Sequence, residues 1–396
     1  MILQWLLSKR VRQATAMRKH VRRLLCAQRD ILSPEAIHNV EKAIREFSET
    51  LESKSQRPKL DEKMTELESA ANKWLKPYPN AAWRENVEVL LVALAVAMAI
   101  RTFFLQPFKI PTGSMQPTLF GITSENLIDK PGFEMPKGLA RIKEWFAGVS
   151  YVDVNAKVDG TLDGISDPTR FLIFNIKQTI WIGGVPHTMW FPPDFGQQPL
   201  GSRAGLKRGQ FFHAGDQVIR LKSKAGDHLF VDRLTYNFRS PERGEIVVFK
   251  TAGIEDARMP QDQFYIKRLV ALGGEDVQIG DDRHLIINRT NRLDASTPHF
   301  ENVYSFDPNK PAEDSEYSGH LNETLARQFG RAGIADNFPN SSSVYPLPTN
   351  RFMVMGDNTI NSFDSRSWGD FPASNVIGKS YFVYWPITSR FGWGYR

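Results

Sequence analysis

The most apolar part of the chain is a run of 12 residues, 89–100, that contains no polar side chain. Extended to 87–105, the run has 19 residues and carries charges only at Glu88 and Arg101. Both charges lie near an end, where a long side chain reaches the membrane surface. This length and composition predict a transmembrane helix over 87–105 that Pro107 ends, with a buried core helix as the alternative.

The charges that flank this segment predict its orientation. Three basic residues lie shortly before it, at Lys73, Lys76 and Arg84, and only Lys109 lies shortly after it. Basic residues are enriched on the cytoplasmic side of membrane helices. We therefore expect residues 1–86 to be cytoplasmic and residues 106–396 to lie across the membrane.

Two apolar stripes with helical spacing precede the predicted span. Their members are Ile37, Val40, Ile44, Phe47 and Leu51, and then Leu60, Met64, Leu67, Ala71 and Trp74. Ser33 and Pro34 are typical of a helix start, and Arg57-Pro58 separates the two stripes. Each stripe is narrow, so the pattern predicts an antiparallel helical hairpin in which the two helices cover each other.

Beyond the predicted span the pattern changes to short β-branched and aromatic runs bounded by turn residues. These runs are 230–232, 246–249, 265–270, 285–287, 352–355 and 381–385. They predict a mainly β fold: an antiparallel β domain, with β-rich insertions at about 120–222 and 288–350. One transmembrane helix and the N-terminal helical hairpin precede this domain.

Composition and charge exclude several classes of function. The single cysteine, Cys26, excludes an intramolecular disulfide framework and a cysteine-rich zinc site. The eight histidines show no short metal-ligand spacing, so we expect no metal and no cofactor. The net charge of +6 resides in the first 86 residues, and no nucleic-acid signature accompanies it. The chemistry must therefore rest on hydroxyls, amines and carboxylates.

Three segments carry such groups. Ser114 follows Gly113 in a turn flanked by prolines, which exposes its hydroxyl. A serine nucleophile needs a base, and a lysine held neutral by burial can serve. Lys267 lies in a predicted strand with Tyr265 and Leu269 on its own face. Taken singly, the first segment is more typical of an ordinary turn, and the second of an exposed edge strand.

The third segment is the loop 355–369, which is rich in Gly, Asp, Asn and Ser. Asp364 and Arg366 are spaced to form an ion pair that would clamp this loop. In a purely structural interpretation the loop is a turn and nothing more. In a functional interpretation it directs the Ser362 hydroxyl at the lysine amine.

Together the segments resemble the type I signal peptidases, the membrane-anchored Ser–Lys endopeptidases of the peptidase S26 family. The resemblance comprises ordered blocks after the membrane segment, at 101–118, 226–231, 243–249, 266–268, 356–369 and 376–378. The N-terminal arm of 86 residues and the stretch at 120–222 depart from the pattern of small family members.

The resemblance implies a role for each matching residue. Ser114 would be the nucleophile and Lys267 the general base. The backbone N–H of Ser114 and the hydroxyl of Thr112 would bind the oxyanion, although many relatives have serine at the position of Thr112. Ser362 would hydrogen-bond the lysine amine, and Asp364 with Arg366 would support that loop.

The resemblance also implies shallow apolar pockets for the small substrate residues one and three positions before the cut. The residues expected to line them are Phe108, Ile110, Met115, Tyr265 and Ile266.

The function implied is the cleavage of signal peptides from exported preproteins at the bacterial inner membrane. Secretory preproteins and the lipid bilayer are the expected partners, the export translocon is a further candidate, and no nucleic acid is expected. Two alternatives stay open: another membrane Ser–Lys protease with a regulatory or self-processing role, and a membrane-anchored interaction module without activity.

Overall fold

The structure is a computed structural model that describes residues 9–52, 57–76, 81–130, 132–172, 174–304 and 319–393. The chain divides into two compact units, Met1–Ala95 and Val96–Arg396. The predicted strands and the candidate site belong to the second unit.

The first unit is helical. Its helices are α1 (Lys9–Gln28), α2 (Pro34–Glu52), α3 (Arg57–Trp74) and the first part of α4 (Ala81–Phe103). The two predicted apolar stripes lie on α2 and α3, where Phe47 and Leu67 are among the most buried side chains. The Ser33 hydroxyl accepts a hydrogen bond from the backbone N–H of Ala36 and so caps α2. The sequence did not predict α1, which adds Val21 to the same core.

Helix α4 contains the predicted membrane segment. Its stretch Trp83–Phe103 has a mean hydropathy of 1.8, and none of its apolar window is buried in the protein. A helix of this length and composition is a candidate membrane span. The helix ends at Phe103, two residues before the predicted end, because the chain continues into an edge strand that accommodates Pro107.

The second unit is mainly β. Its strands are β1 (Leu105–Lys109), β2 (Thr123–Asn126), β3 (Val149–Asn155), β4 (Gly160–Ile165), β5 (Thr169–Phe171), β6 (Phe174–Ile182), β7 (Val185–Trp190), β8 (Phe211–Phe212), β9 (Gln217–Lys224), β10 (His228–Asp232), β11 (Ile246–Lys250), β12 (Phe264–Ala271), β13 (Asp276–Ile279), β14 (Leu285–Ile287), β15 (Asn291–Arg292), β16 (Val344–Pro346), β17 (Arg351–Met355), β18 (Phe371–Pro372), β19 (Val376–Trp385) and β20 (Gly392–Trp393). Its short helices are α5 (Leu139–Phe146), α6 (Leu200–Ala204), α7 (Glu323–Gln328) and α8 (Ser365–Trp368).

Within the described residues the largest sheet has the order β1-β10-β19-β11-β12-β17-β18, and β20 pairs with β19. All its pairs are antiparallel. Five of the six predicted runs lie in this sheet, and the run 285–287 is β14 of a smaller sheet, β15-β14-β13-β16. The prediction of a mainly antiparallel β fold is confirmed.

The two long stretches between the predicted strands contain strands of their own. The stretch 120–222 contributes to the sheet β2-β9-β3 and forms the sheet β5-β6-β4-β8, in which β7 pairs with β6. Both sheets contribute to one apolar core around Ile180 and Val218. The stretch 288–350 supplies β15, α7 and β16, and its residues 305–318 lie outside the described part.

Candidate active site

Ser114 lies in a tight turn that directly follows β1. The side chain is 6% exposed, and its backbone is held from the loop after β17. Asn358 donates its backbone N–H to Ser114 O at 3.0 Å and its side-chain amide to Gly113 O at 3.0 Å. These bonds fix the direction of the Ser114 side chain although the turn has no regular secondary structure.

Lys267 lies at the middle of β12 and reaches this serine. Its Nζ donates a hydrogen bond to Ser114 Oγ at 2.6 Å, and the side chain is 4% exposed. The Tyr265 ring lies on the same face, with its centroid 5.8 Å from Nζ. The strand thus brings an amine from residue 267 to a hydroxyl from residue 114 in an environment with little water.

Burial changes the proton affinity of this amine. Desolvation of the ammonium form lowers the pKa of Lys267 to about 8 from an ordinary value of 10.5. The carboxylates of Asp364 and Asp357 oppose this shift, and the Arg366 guanidinium adds to it. At pH 7 the neutral fraction therefore increases from about 0.03% to about 10%, so that a base is available.

Asp364 and Arg366 form a buried ion pair beside the lysine. Neither side chain has any exposed area, and Arg366 donates to the Asp364 carboxylate through Nε and Nη2 at 2.9 Å each. Burial alone would raise the pKa of Asp364, but the charge of Arg366 and its hydrogen bonds hold it below the ordinary value. Asp364 also accepts from Gly356 N at 2.9 Å, which ties the loop to the end of β17.

Ser362 occupies a different position from the one expected. Its hydroxyl is buried but makes no hydrogen bond to Lys267 in the described residues. It packs against Gly356, where a Cβ atom would lie 2.2 Å from Ser362 Oγ and 2.4 Å from Ser114 O. The close approach of the loop to the Ser114 turn therefore requires glycine at 356, and the lysine amine is oriented by Ser114 instead.

A second buried ion pair was missed by the sequence analysis. Arg268 donates to the Asp357 carboxylate at 2.7 and 2.5 Å, and both side chains have no exposed area. Thr118 donates to the same carboxylate at 2.5 Å. The pair links β12, the loop after β17 and the end of the Ser114 turn. A Lys-Arg dipeptide in a strand that is buried on both faces could have indicated an acidic partner for the arginine.

The two expected oxyanion groups belong to residues of different exposure, since Ser114 is buried. Thr112 is exposed. Its backbone lies against Gly121, where a Cβ atom would be 2.2 Å from Thr112 O. Within the part of the chain that the structure describes, neither the Thr112 hydroxyl nor the Ser114 N–H makes a hydrogen bond. Both donors are therefore available to a ligand.

The five expected pocket residues do not lie together. Phe108, Ile110, Met115 and Ile266 belong to one apolar cluster, but Tyr265 packs on the opposite face of β12 with Phe249. Residues 265 and 266 are adjacent in a strand, so their side chains point to opposite faces. Ile110 and Met115 are almost fully buried, whereas Phe108, Ile266 and Tyr265 are partly exposed.

Comparison with known proteins gives a family match. A family model described as "Signal peptidase, peptidase S26" matches residues 83–130 and 220–385, more than half of the chain. The matched ranges contain the Ser114 turn, β12 and the loop 356–369, and they omit residues 131–219.

Individual relatives agree with the family model. Signal peptidase I of Leptolyngbya laminosa is 28% identical over 190 residues, which cover 48% of this chain and 74% of that protein. Signal peptidase I of Aquifex aeolicus (strain VF5) is 30% identical over 183 residues, covering 40% of this chain and 69% of that protein. A probable thylakoidal processing peptidase 2 of Arabidopsis thaliana is 31% identical over 163 residues, covering 41% of this chain and 34% of that protein.

Proposed function

The chain belongs to the signal peptidase family, peptidase S26, and on this basis we propose that it cleaves signal peptides from exported preproteins as a membrane-bound serine endopeptidase. Ser114 is the nucleophile and Lys267 is the general base. The observation that carries the proposal is the 2.6 Å hydrogen bond between Lys267 Nζ and Ser114 Oγ in a buried setting.

Acylation begins with proton transfer from Ser114 to Lys267. The neutral amine accepts the hydroxyl proton while Ser114 Oγ forms a bond to the carbonyl carbon before the cut. The resulting ammonium then gives this proton to the departing amine of the mature protein. An ester joins the signal peptide to Ser114, and water, deprotonated by the same lysine, hydrolyses this ester. The depressed pKa of Lys267 supports both transfers.

The oxyanion of each tetrahedral intermediate is bound by the Ser114 N–H and the Thr112 hydroxyl. Both groups lack a hydrogen-bond partner among the described residues, and both lie next to the nucleophile in the chain. Donors fixed in advance stabilise charge that develops in the transition state more than they stabilise the substrate. The contribution of Thr112 should therefore be seen in kcat.

Replacing Thr112 by Val is expected to lower kcat by about 10²–10³ because one oxyanion donor is lost. The exposure of Thr112 makes a folding defect unexpected. Thr112→Ser keeps a hydroxyl and is the matched control, with cleavage close to that of the wild type. Steady-state kinetics on one preprotein measure all three, and an unchanged kcat in Thr112→Val would remove Thr112 from the oxyanion site.

The two buried ion pairs hold the catalytic geometry. Asp364–Arg366 and Asp357–Arg268 both lie in or against the loop that fixes the Ser114 turn. Substrate contacts are assigned to the partly exposed Phe108 and Ile266, at the edge of the apolar cluster that contains Met115. Shallow contacts of this kind favour small side chains before the cut.

The candidate membrane helix α4 anchors the enzyme in the bacterial inner membrane as a single span. Residues 1–86 are cytoplasmic and residues 106–396 are extracytoplasmic, since three basic residues precede the span closely and only Lys109 follows it closely. The lipid bilayer is thus a partner, and the export translocon would deliver the preproteins. A signal peptide crosses the same bilayer, so its cleavage site emerges on the same side as Ser114.

Protease added to right-side-out spheroplasts is expected to digest the chain beyond residue 106 and to spare residues 1–86, because the positive-inside rule keeps the basic arm in the cytoplasm. Immunoblots against a tag at each end give the result, and lysed spheroplasts control for intrinsic protease resistance. Protection of the C-terminal part would contradict both the orientation and the export role.

The function itself is tested by incubating the purified, lipid-reconstituted chain with a preprotein and sequencing the new N-terminus. We expect one cut at the end of the signal peptide. A cut only within the chain itself would favour a self-processing protease, and no cut in any preprotein would favour an interaction module.

A further inference from the structure

The stretch 120–222 presents an unusual apolar surface. Five large side chains at one end of the sheet formed by β5, β6 and β7 are between 61% and 82% exposed: Phe171, Leu172, Phe174, Trp190 and Phe191. The register brings them to one end of this sheet, because Phe171 pairs with Phe174, and Phe191 N donates to Ile176 O at 2.9 Å beside the Lys177–Trp190 pair. Since Lys177 is three residues from Phe174, the side chains of Phe174 and Trp190 lie on opposite faces at this end. These five residues are called the apolar tip below.

Two residues of the apolar tip are in a backbone conformation that L-residues with large side chains rarely adopt. The φ angles of Leu172 and Phe191 are 54° and 51°. Gly, Asn or Asp is usual at such turn positions, and a leucine or phenylalanine there is strained. The strain is not compensated by burial, since Leu172 is 82% and Phe191 70% exposed.

Helix α5 extends the same surface. None of its residues is buried, and its apolar face includes Ile142 and Trp145. These two residues line a depression of about 480 Å³ together with Trp190 and Phe191. Trp145 also lines a neighbouring depression of about 550 Å³ together with Phe174. Through Trp145 the two depressions connect the helix with Trp190, Phe191 and Phe174 of the apolar tip, which is more than a scatter of single exposed residues.

The surroundings of this surface favour lipid as its partner. The segments 137–146, 169–177 and 185–191 carry five Lys or Arg residues and only one acidic residue, Glu144. Tryptophan and phenylalanine beside basic side chains are typical of proteins that lie at the boundary between headgroups and acyl chains. A purely apolar protein interface would not require the basic residues.

The covalent chain keeps this surface near the membrane. Lys109 lines the same depression as Trp145 and Phe174, and its Nζ donates to Asp194 of the stretch 120–222 at 2.6 Å. Lys109 is only six positions after Phe103, the last residue of the candidate membrane helix. An extended chain of that length spans no more than about 20 Å.

We propose that the apolar tip and α5 insert into the outer surface of the bilayer that holds α4, as a second, interfacial membrane contact. The contact lies wholly within residues 131–219, which the family model does not match. It is therefore proposed for this stretch and not for the part of the chain that matches the family. It rests on the proposed anchoring of α4 but not on the catalytic mechanism. It would hold the Lys109 end of β1, and so the adjacent Ser114 turn, at a fixed height above the lipid.

Site-directed spin labelling of the full chain tests this contact. In a Cys26→Ser background, which removes the single native cysteine, Leu172→Cys and Ala214→Cys are each labelled with a nitroxide. Ala214 is an exposed residue of the same stretch and serves as the matched control. Both proteins are reconstituted in vesicles of phosphatidylethanolamine and phosphatidylglycerol, and collisions with oxygen and with a water-soluble nickel complex are compared.

We expect an oxygen-to-nickel collision ratio several-fold higher at residue 172 than at residue 214, because oxygen partitions into lipid and the nickel complex does not. Equal ratios at the two positions, in protein that floats with the vesicles, would overturn the interfacial contact and leave the α4 anchor intact. Protein that does not float would contradict both. A spectrum at residue 172 that is broadened and sharpens on dilution with unlabelled chain would identify a second copy, and not lipid, as the partner.

Discussion

Ser114→Ala is expected to abolish preprotein cleavage, with a loss in kcat on the order of 10⁶, the scale seen when a serine protease loses its nucleophile. The hydroxyl that forms the acyl bond is absent, and no neighbouring group replaces it at the position of Lys267 Nζ. The measurement is the rate at which the mature N-terminus appears under single-turnover conditions, so that very slow cleavage is still quantified.

Ser380→Ala is the matched control for this variant. Ser380 is buried like Ser114 but lies in β19, and its hydroxyl makes no hydrogen bond in the described residues. We expect wild-type cleavage from Ser380→Ala and unchanged circular dichroism from both variants. Cleavage by Ser114→Ala within about tenfold of the wild type would mean that the nucleophile lies elsewhere.

Lys267→Arg is expected to be as inactive as Lys267→Ala although it keeps the positive charge. A guanidinium stays protonated at any usable pH and cannot accept the Ser114 proton. The amine of Lys267 can do so because desolvation lowers its pKa to about 8. The loss should appear in kcat, and binding of the uncleaved preprotein should persist, as measured by co-purification.

Lys379→Arg distinguishes this requirement from a general intolerance of arginine in the sheet. The strands β12 and β19 lie on either side of β11. Lys267 of β12 and Lys379 of β19 both pair with Val247 of β11. Lys379 forms an ion pair with Glu245 at 3.0 Å, which an arginine can also make. We expect Lys379→Arg to cleave at the wild-type rate. An active Lys267→Arg variant would reduce Lys267 to a structural residue.

Much of the β domain could be predicted from the sequence because its central strands are buried. Runs such as 246–249 and 265–270 are apolar, β-branched and bounded by turn residues, so one local pattern determines them. Periodicity of this kind is displayed directly by a sequence, and it also predicts that Tyr265 and Lys267 share a face of their strand. Periodicity alone did not predict a buried amine, because a Lys-Arg pair is typical of an exposed edge strand; only the resemblance to the family favoured burial of Lys267.

Features that depend on contacts distant in the chain could not be predicted in this way. Arg268 and Asp357 are 89 residues apart, and only the folded sheet brings them together. Ser362 was expected at the lysine amine, but the loop packs it against Gly356, a result of three-dimensional packing that no local spacing encodes. The strands of the stretch 120–222 were expected only in general terms because polar and charged side chains, such as Asp153 and Lys177, interrupt their apolar pattern.

The pH dependence of cleavage by the unmodified protein tests the central claim most directly. The value of kcat/KM reports the ionisation of the free enzyme, and a base works only when it is unprotonated. With the pKa of Lys267 at about 8, log kcat/KM for one preprotein should rise with a slope of one from pH 6 and level off above pH 8. A value that is constant from pH 6 to pH 10 would contradict the claim that Lys267 removes the Ser114 proton.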